Sequence, residues 1–159
     1  MHKYLDNQKH LNAYKLGFLC SSRVSNRAIF PCCDWATTLP SGRVLMSGFH
    51  SPIERDVLQL LLGKGGHSVI VVLACKPYAT IPAEWQSAYD EGRMLIVSTS
   101  PEASRVSKPT ADLRNDYISQ QAGHLLFGYI HEDSSLWEYY RKYQNKVELL
   151  QDRKSTRLN

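Results

Sequence analysis

No stretch of this chain approaches the run of roughly 18 apolar residues that a membrane-spanning helix needs, so no membrane association is expected. Cysteine is scarce, four residues in 159, and none has the C-x-x-C spacing of zinc or thioredoxin-like sites. Cys20 and Cys75 lie inside apolar runs, where small core residues belong, and Cys32-Cys33 is a vicinal pair. No structural metal is expected. The first thirteen residues are polar and lack the apolar segment of a secretory signal, which makes the cytoplasm the expected location. The signatures of the common cofactor and hydrolase sites are also missing. There is no G-x-G-x-x-G after the first apolar segment and no G-x-S-x-G elbow. Gly63-Lys64-Gly65-Gly66 follows a helical pattern and precedes a strand pattern, the reverse of a P-loop. No cofactor is implied.

Charge of one sign is not abundant either. The chain carries +4, with 19 Lys and Arg against 15 Asp and Glu. Residues 152–159 (D-R-K-S-T-R-L-N) read as the in-frame translation of a sequencing-adapter oligonucleotide and are set aside. They hold three cations and one anion, so the remainder carries +2. That balance permits a nucleic-acid partner without arguing for one.

What the sequence has is one well-defined unit at residues 43–54 (R-V-L-M-S-G-F-H-S-P-I-E). Val44, Leu45 and Met46 form a short apolar run. Ser47, Gly48, Phe49, His50 and Ser51 form a turn. A helix then begins, with Ser51 suited to its N-cap, Pro52 to its first position and Glu54 to the acid of an S-x-x-E capping box. Such a strand-turn-helix unit aims backbone N–H groups and a helix dipole out of the turn, which favours an anion.

The rest of the chain repeats the theme. Residues 14–20 predict a first strand, 68–75 an almost unbroken β-branched strand, 94–97 a fourth and 124–130 a fifth. Between them lie helical patterns. The first, capped by Ser25 or Asn26, turns Ile29, Cys33, Trp35 and Ala36 inward. The next carries Ile53, Val57 and Leu61 on one face, and a short one spans 82–91. The helix over 110–121 turns Leu113, Tyr117 and Ile118 inward. A last helix, opened by a capping box at Ser135 and Glu138, is predicted to reach about Leu150. Strand and helix alternate five times. The prediction is one α/β domain over 14–150, a three-layer Rossmann-like fold of about five parallel strands with helices on both faces, preceded by a flexible extension over 1–13. Ligands of such sheets bind outside the carboxyl ends of the strands. Three of those ends, residues 21–23, 47–51 and 98–101, are small and polar and are expected to converge on one crevice.

The candidate ligand set follows from those ends. Ser22, Arg23, Ser47, Gly48, Phe49, His50 and Ser51 would hold phosphate, Arg114 and Asn115 would close the crevice, and Ser98 and Thr99 are further candidates. Arginine holds phosphate bidentately, and asparagine offers both a donor and an acceptor to a base or ribose. Each has an ordinary alternative. Gly48 serves either the turn or the close approach of a ligand, and Glu54 serves either its cap or a catalytic acid. His50 is either a solvated loop histidine or an acid or base, and Arg114 either a ligand or the partner of Asp112 or Asp116. His67, His124 and His131 flank strands and read as structural. The ring cluster Trp137, Tyr139, Tyr140 and Tyr143 reads as packing before it reads as a base-stacking platform.

Taken together, the motifs resemble the DNA-processing protein A (Smf/DprA) family, in the SLOG group of Rossmann-like nucleotide-binding domains. That family's strand-end G-S-R is matched by Ser22 and Arg23 of C-S-S-R. Its S-G-x-A-x-G-I-D is matched by Ser47, Gly48 and Ile53 of S-G-F-H-S-P-I-E, with Glu54 where the acid stands. Its G-G-x-T-I-A-V-L is matched at residues 65–73, and its R-N-R-x-I at Arg114, Asn115 and Ile118. The resemblance covers about residues 15–130. It implies a DNA-binding or DNA-processing module of the short, single-domain kind, with single-stranded DNA or a nucleotide as partner and a homodimer as its assembly. The chain departs from the family at His50-Ser51-Pro52, at Val57-Leu58, where the family has a histidine, and at Ser98-Thr99, where it has S-E. The G-G-x-G-T-x-x-E motif of the related phosphoribohydrolases is absent, so binding without catalysis is expected. A nucleotide N-glycosidic hydrolase with Glu54 as its acid and a small-nucleotide sensor are the alternatives.

Overall fold

The computed structural model describes residues 3–4, 8–22, 26–64 and 66–152. The strands are β1 (Lys3–Tyr4), β2 (Lys15–Leu19), β3 (Val44–Ser47), β4 (Ser68–Leu73), β5 (Met94–Ser98), β6 (His124–Phe127) and β7 (Val147–Leu149). The helices are α1 (Asn26–Thr38), α2 (Pro52–Lys64), α3 (Gln86–Asp90), α4 (Lys108–Gln121) and α5 (Trp137–Lys142). One sheet runs in the order β1-β5-β4-β3-β2-β6-β7. β2 to β7 are parallel, and β1 alone is antiparallel, on the edge beside β5. The predicted three-layer α/β fold is present, and its five predicted strands form the centre of the sheet.

The two faces of the sheet are separate cores, divided by the side-chain alternation of each strand. Phe18, Leu45, Val69, Val71, Met94 and Ile96 face α1, α2 and α3, where they meet Trp35, Val57, Leu61 and Ala88, with Trp85 just before α3. Phe18 and Trp35 stack at 5.4 Å. Leu19, Met46, Ile70, Val72, Leu95, Val97 and Phe127 face the other way, onto Tyr117, Ile118 and Tyr139. Residues buried from both sides explain why the β4 run carries no polar alternation. Gly17 in β2 lies under α4. A Cβ there would stand 2.8 Å from a Leu125 methyl and 2.9 Å from the Ala122 Cβ, so the helix reaches its depth only over glycine.

Three expectations are corrected. The predicted last helix is short: α5 stops at Lys142, and the chain then forms β7, which pairs with β6 through Val147, Glu148 and Leu149. Val147 and Leu149 alternate about Glu148, which is a strand signal inside what reads as a helical stretch. Its capping box does not form either. Leu136 is the N-cap, without a side-chain bond, and the Ser134 hydroxyl accepts from Leu136 N instead. Ile29 and Leu113 point outward rather than inward. On α1 the buried stripe is Ala28, Cys32, Trp35 and Ala36, one position off Ile29. On α4 it includes Arg114, Asn115 and Ser119, polar residues that an apolar count passes over.

The N-terminal segment read as a flexible extension contributes β1 to the sheet, and its buried His10 bonds to the Gly92 carbonyl at 2.8 Å. Lys15 Nζ donates to Leu11 O and Ala13 O, at 2.7 and 3.0 Å. At the other end, Lys146 Nζ donates to Ser119 O and Ala122 O, at 2.7 and 2.6 Å, and so caps the carboxyl end of α4. The aromatic cluster is packing: Tyr140 meets Phe127 edge-on at 5.9 Å and Trp137 at 5.1 Å, and Tyr139 is buried. No helix among the described residues is long and apolar enough to cross a membrane.

Candidate functional site

Strand order reverses at β2: β3, β4 and β5 lie to one side, β6 and β7 to the other. Sheets of this kind open a crevice at that point, beyond the carboxyl ends of the strands. A pocket of about 200 Å³ occupies it. Its walls come from three places: Ser21 and Ser22 after β2, His50 and Glu54 at the start of α2, and Lys108, Asp112, Arg114 and Asn115 along α4. Ser134 and Ser135, in the connection after β6, complete it.

The turn before α2 is built on Gly48 and Phe49. A Cβ on Gly48 would stand 3.0 Å from both Arg114 Cδ and His50 Nδ1, so the absent side chain is what admits the arginine. Phe49 takes a left-handed conformation at φ 49°, uncommon for a non-glycine residue, with its ring buried in the core and its N–H donating to Ser47 Oγ at 3.2 Å. The ring anchors the strained turn.

Glu54 holds the site together. It is 1% exposed, and its carboxylate accepts from three donors. Cys20 N donates to Oε2 at 3.0 Å, His50 N donates to Oε1 at 3.0 Å, and His50 Nδ1 lies 3.0 Å from the same Oε1. Half of the predicted capping box forms, with Glu54 N donating to Ser51 Oγ at 3.4 Å. The carboxylate does not return to the cap; it ties the end of β2 to the β3–α2 turn. Burial alone would raise its pKa. The hydrogen bonds and charge of His50, with Arg114 nearby, outweigh burial and hold it below the ordinary value.

In the neutral ring, with Nδ1 donating to Glu54, Nε2 is an acceptor, and Arg114 Nη2 lies 3.5 Å from it. Arg114 Nε donates to Asn115 Oδ1 at 3.2 Å. Arg114 is 5% exposed, and no carboxylate among the described residues lies within ion-pair distance of it. Asp112 pairs with Lys108 instead, at 3.1 Å. Burial lowers the Arg114 pKa, and Glu54 is the strongest of the groups acting against that shift. Cys20 also lines the pocket, but burial, then Cys32 and Glu54, drive its thiol pKa up, so it stays protonated and is a poor nucleophile.

The structure therefore brings together Ser22, His50, Glu54, Arg114 and Asn115, with Gly48 directly beneath. Ser47 and Ser51 are buried and serve the turn, as does the Phe49 backbone. Arg23 lies outside the described residues. Ser98 and Thr99 are not in the crevice. Three strand spacings of about 4.8 Å separate β5 from β2, roughly 14 Å in all. Their hydroxyls donate to Cys75 O and Leu73 O, at 2.7 and 3.4 Å, tying the ends of β4 and β5. Lys108, Asp112, Ser134 and Ser135 were not sequence candidates. For Ser134 and Ser135 the signal is topological: once β6 is known to lie beside β2, the connection after β6 must overhang the crevice. Lys108 and Asp112 lie two turns and one turn before Asn115 on the same face of α4. No group of three or more metal-ligating side chains occurs among the described residues.

No protein-family model matches the chain, and no curated protein matches it in sequence. Solved structures do. DNA processing protein A (DprA) from Streptococcus pneumoniae superimposes with a TM-score of 0.73 at 18% identity, over 93% of this chain and 53% of that one. DNA processing protein A from Helicobacter pylori, described with a single-stranded DNA binding mode, superimposes with a TM-score of 0.66 at 17% identity, over 93% of this chain and 70% of that one. The chain spans about half the length of the first. At these identities the likeness is one of architecture: the chain has a DprA-like fold.

Proposed function

We propose that this chain is a DNA-processing module that binds single-stranded DNA through its phosphates, without catalysis. One observation carries the reading. Arg114 is buried at the switch-point pocket with no carboxylate in ion-pair distance among the described residues. A buried guanidinium with no anion in direct contact is costly, and a phosphate entering the pocket supplies one. Asn115 and His50 engage two of the five guanidinium N–H donors, which leaves three for the anion. The hydroxyls of Ser21, Ser22, Ser134 and Ser135 and the Lys108 ammonium surround that position. The likeness to DprA structures, one of them described as binding single-stranded DNA, supports DNA as the source of the phosphate. A cytoplasmic location and a homodimer belong to the same reading.

The test is thermal unfolding with short single-stranded DNA and with a panel of mononucleotides. A ligand at a hundredfold excess over its dissociation constant adds about 2.7 kcal/mol of stability. Stabilisation by DNA is the expected result. Stabilisation by one mononucleotide alone would replace this reading with that of a nucleotide sensor. Turnover of that compound would point to the N-glycosidic hydrolase. The three hydrogen bonds held by the Glu54 carboxylate speak against it as an acid.

A further inference from the structure

We infer that phosphate enters the switch-point pocket together with one proton, taken up by Nε2 of His50, so that the site binds oxyanions in a pH-gated way. This rests on the reading of the pocket as a phosphate site and adds its regulation.

Two observations lead there. The first is the hydrogen-bond direction. Glu54 Oε1 accepts from both the backbone N–H and the ring of His50, and so fixes the ring with Nδ1 as the donor. In the neutral ring Nε2 then presents a lone pair, 3.5 Å from Arg114 Nη2. A phosphate oxygen approaching Arg114 meets that lone pair: two acceptors face each other across the guanidinium. A proton on Nε2 removes the conflict, because the ring becomes a second donor to the same anion. The ring is 47% exposed on its side chain, so solvent reaches it.

The second observation is the charge balance. Arg114 and Lys108 supply two cations to the pocket wall, and Glu54 and Asp112 supply two anions. With His50 neutral the wall carries no net charge. A phosphodiester brings one negative charge, and one proton on His50 restores the balance. The other titratable groups facing the site do not compete for that proton. The Cys20 thiol and the Tyr139 phenol, which acts on Arg114, both have their pKa values raised, by burial first, and so are already protonated.

Glu54 is then a positioning residue that holds the imidazole, and His50 is the ligand. The proton comes from solvent and returns to it on release; no covalent bond is made or broken.

The experiment is titration calorimetry with two probes that do not themselves titrate there, dimethyl phosphate and an oligothymidylate lacking terminal phosphates, from about pH 6 to about pH 8, in buffers of different ionisation enthalpy. The expected result is uptake of close to one proton per bound phosphate and an affinity falling about tenfold per pH unit once histidine is deprotonated. In His50→Gln, which keeps a side-chain donor, affinity is expected to become nearly independent of pH while the unfolding temperature is retained. Binding of the oligothymidylate with the same pH dependence in both proteins overturns the inference and leaves the DNA reading standing. Proton-linked binding of dimethyl phosphate, with the linkage lost in His50→Gln and without binding of the oligothymidylate, keeps the inference and removes the DNA reading. Failure of both probes to bind at about pH 6 removes both.

Discussion

Glu54 and His50 are joined twice: one carboxylate oxygen takes the His50 backbone N–H and its ring nitrogen, both at 3.0 Å. The second oxygen takes Cys20 N, at the end of the neighbouring strand. A single buried acid thus fixes the turn, the imidazole and the β2 terminus relative to one another.

That role gives a pH signature. The Glu54 pKa is lowered in the folded chain below its ordinary 4.5. A group of this sign adds stability that is fully present above its unfolded pKa and is lost as pH falls through the folded one. Stability should therefore hold above about pH 4.5 and decline below it. Glu54→Gln should be less stable at neutral pH by about 1–3 kcal/mol and should lack that part of the acid decline. Unfolding temperatures against pH for the two proteins check this, and parallel curves would remove the role given to Glu54.

Gly48 predicts a separation of stability from binding. A methyl group there presses on Arg114 Cδ and His50 Nδ1, both 3.0 Å away. Gly48→Ala should weaken phosphate binding about tenfold, or 1.4 kcal/mol, by displacing those two side chains. Binding and unfolding measured on the same preparation test it; unchanged affinity would mean that the guanidinium is not the ligand.

Gly17 predicts the opposite pattern. Its substitution drives a methyl group into Leu125 and Ala122, beneath α4. Gly17→Ala should cost about 1–3 kcal/mol in chemical denaturation, with the ligand affinity of the folded fraction little changed.

Lys146 predicts a test of the α4 terminus. Its ammonium satisfies the carbonyls of Ser119 and Ala122 and lies 5.0 Å from the Tyr143 ring centre. Lys146→Met keeps the stem and removes the charge. A loss of about 1–2 kcal/mol is expected, with faster amide exchange in the last turn of α4. No loss would mean that water replaces the ammonium there.

Much of the fold was legible because its signals are local. The β-branched run at β4 and the Ser51-Pro52 helix start announce a buried strand and a helix whatever surrounds them. The carboxyl-terminal part was not, because residues 135–150 carry apolar positions compatible with either period, and pairing with β6 decides for strand at Val147–Leu149. The inward face of α4 was misread at Leu113 because Arg114 and Asn115, not an apolar residue, turn toward the sheet. Of the site, Ser22, His50, Arg114 and Asn115 could be proposed from residue type and strand ends. Strand order could not, and it decides which ends meet: β2 and β6 come together, and the β5 end with Ser98 and Thr99 is carried away.

The most direct measurement is fluorescence anisotropy of a labelled oligothymidylate against salt concentration, for the protein and for Arg114→Ala. Binding through phosphates predicts an affinity that falls steeply with salt, and for Arg114→Ala a weaker affinity with a slope shallower by about 0.7 per lost phosphate contact. Salt-insensitive binding, or binding that Arg114→Ala leaves unchanged, would contradict a phosphate site at Arg114.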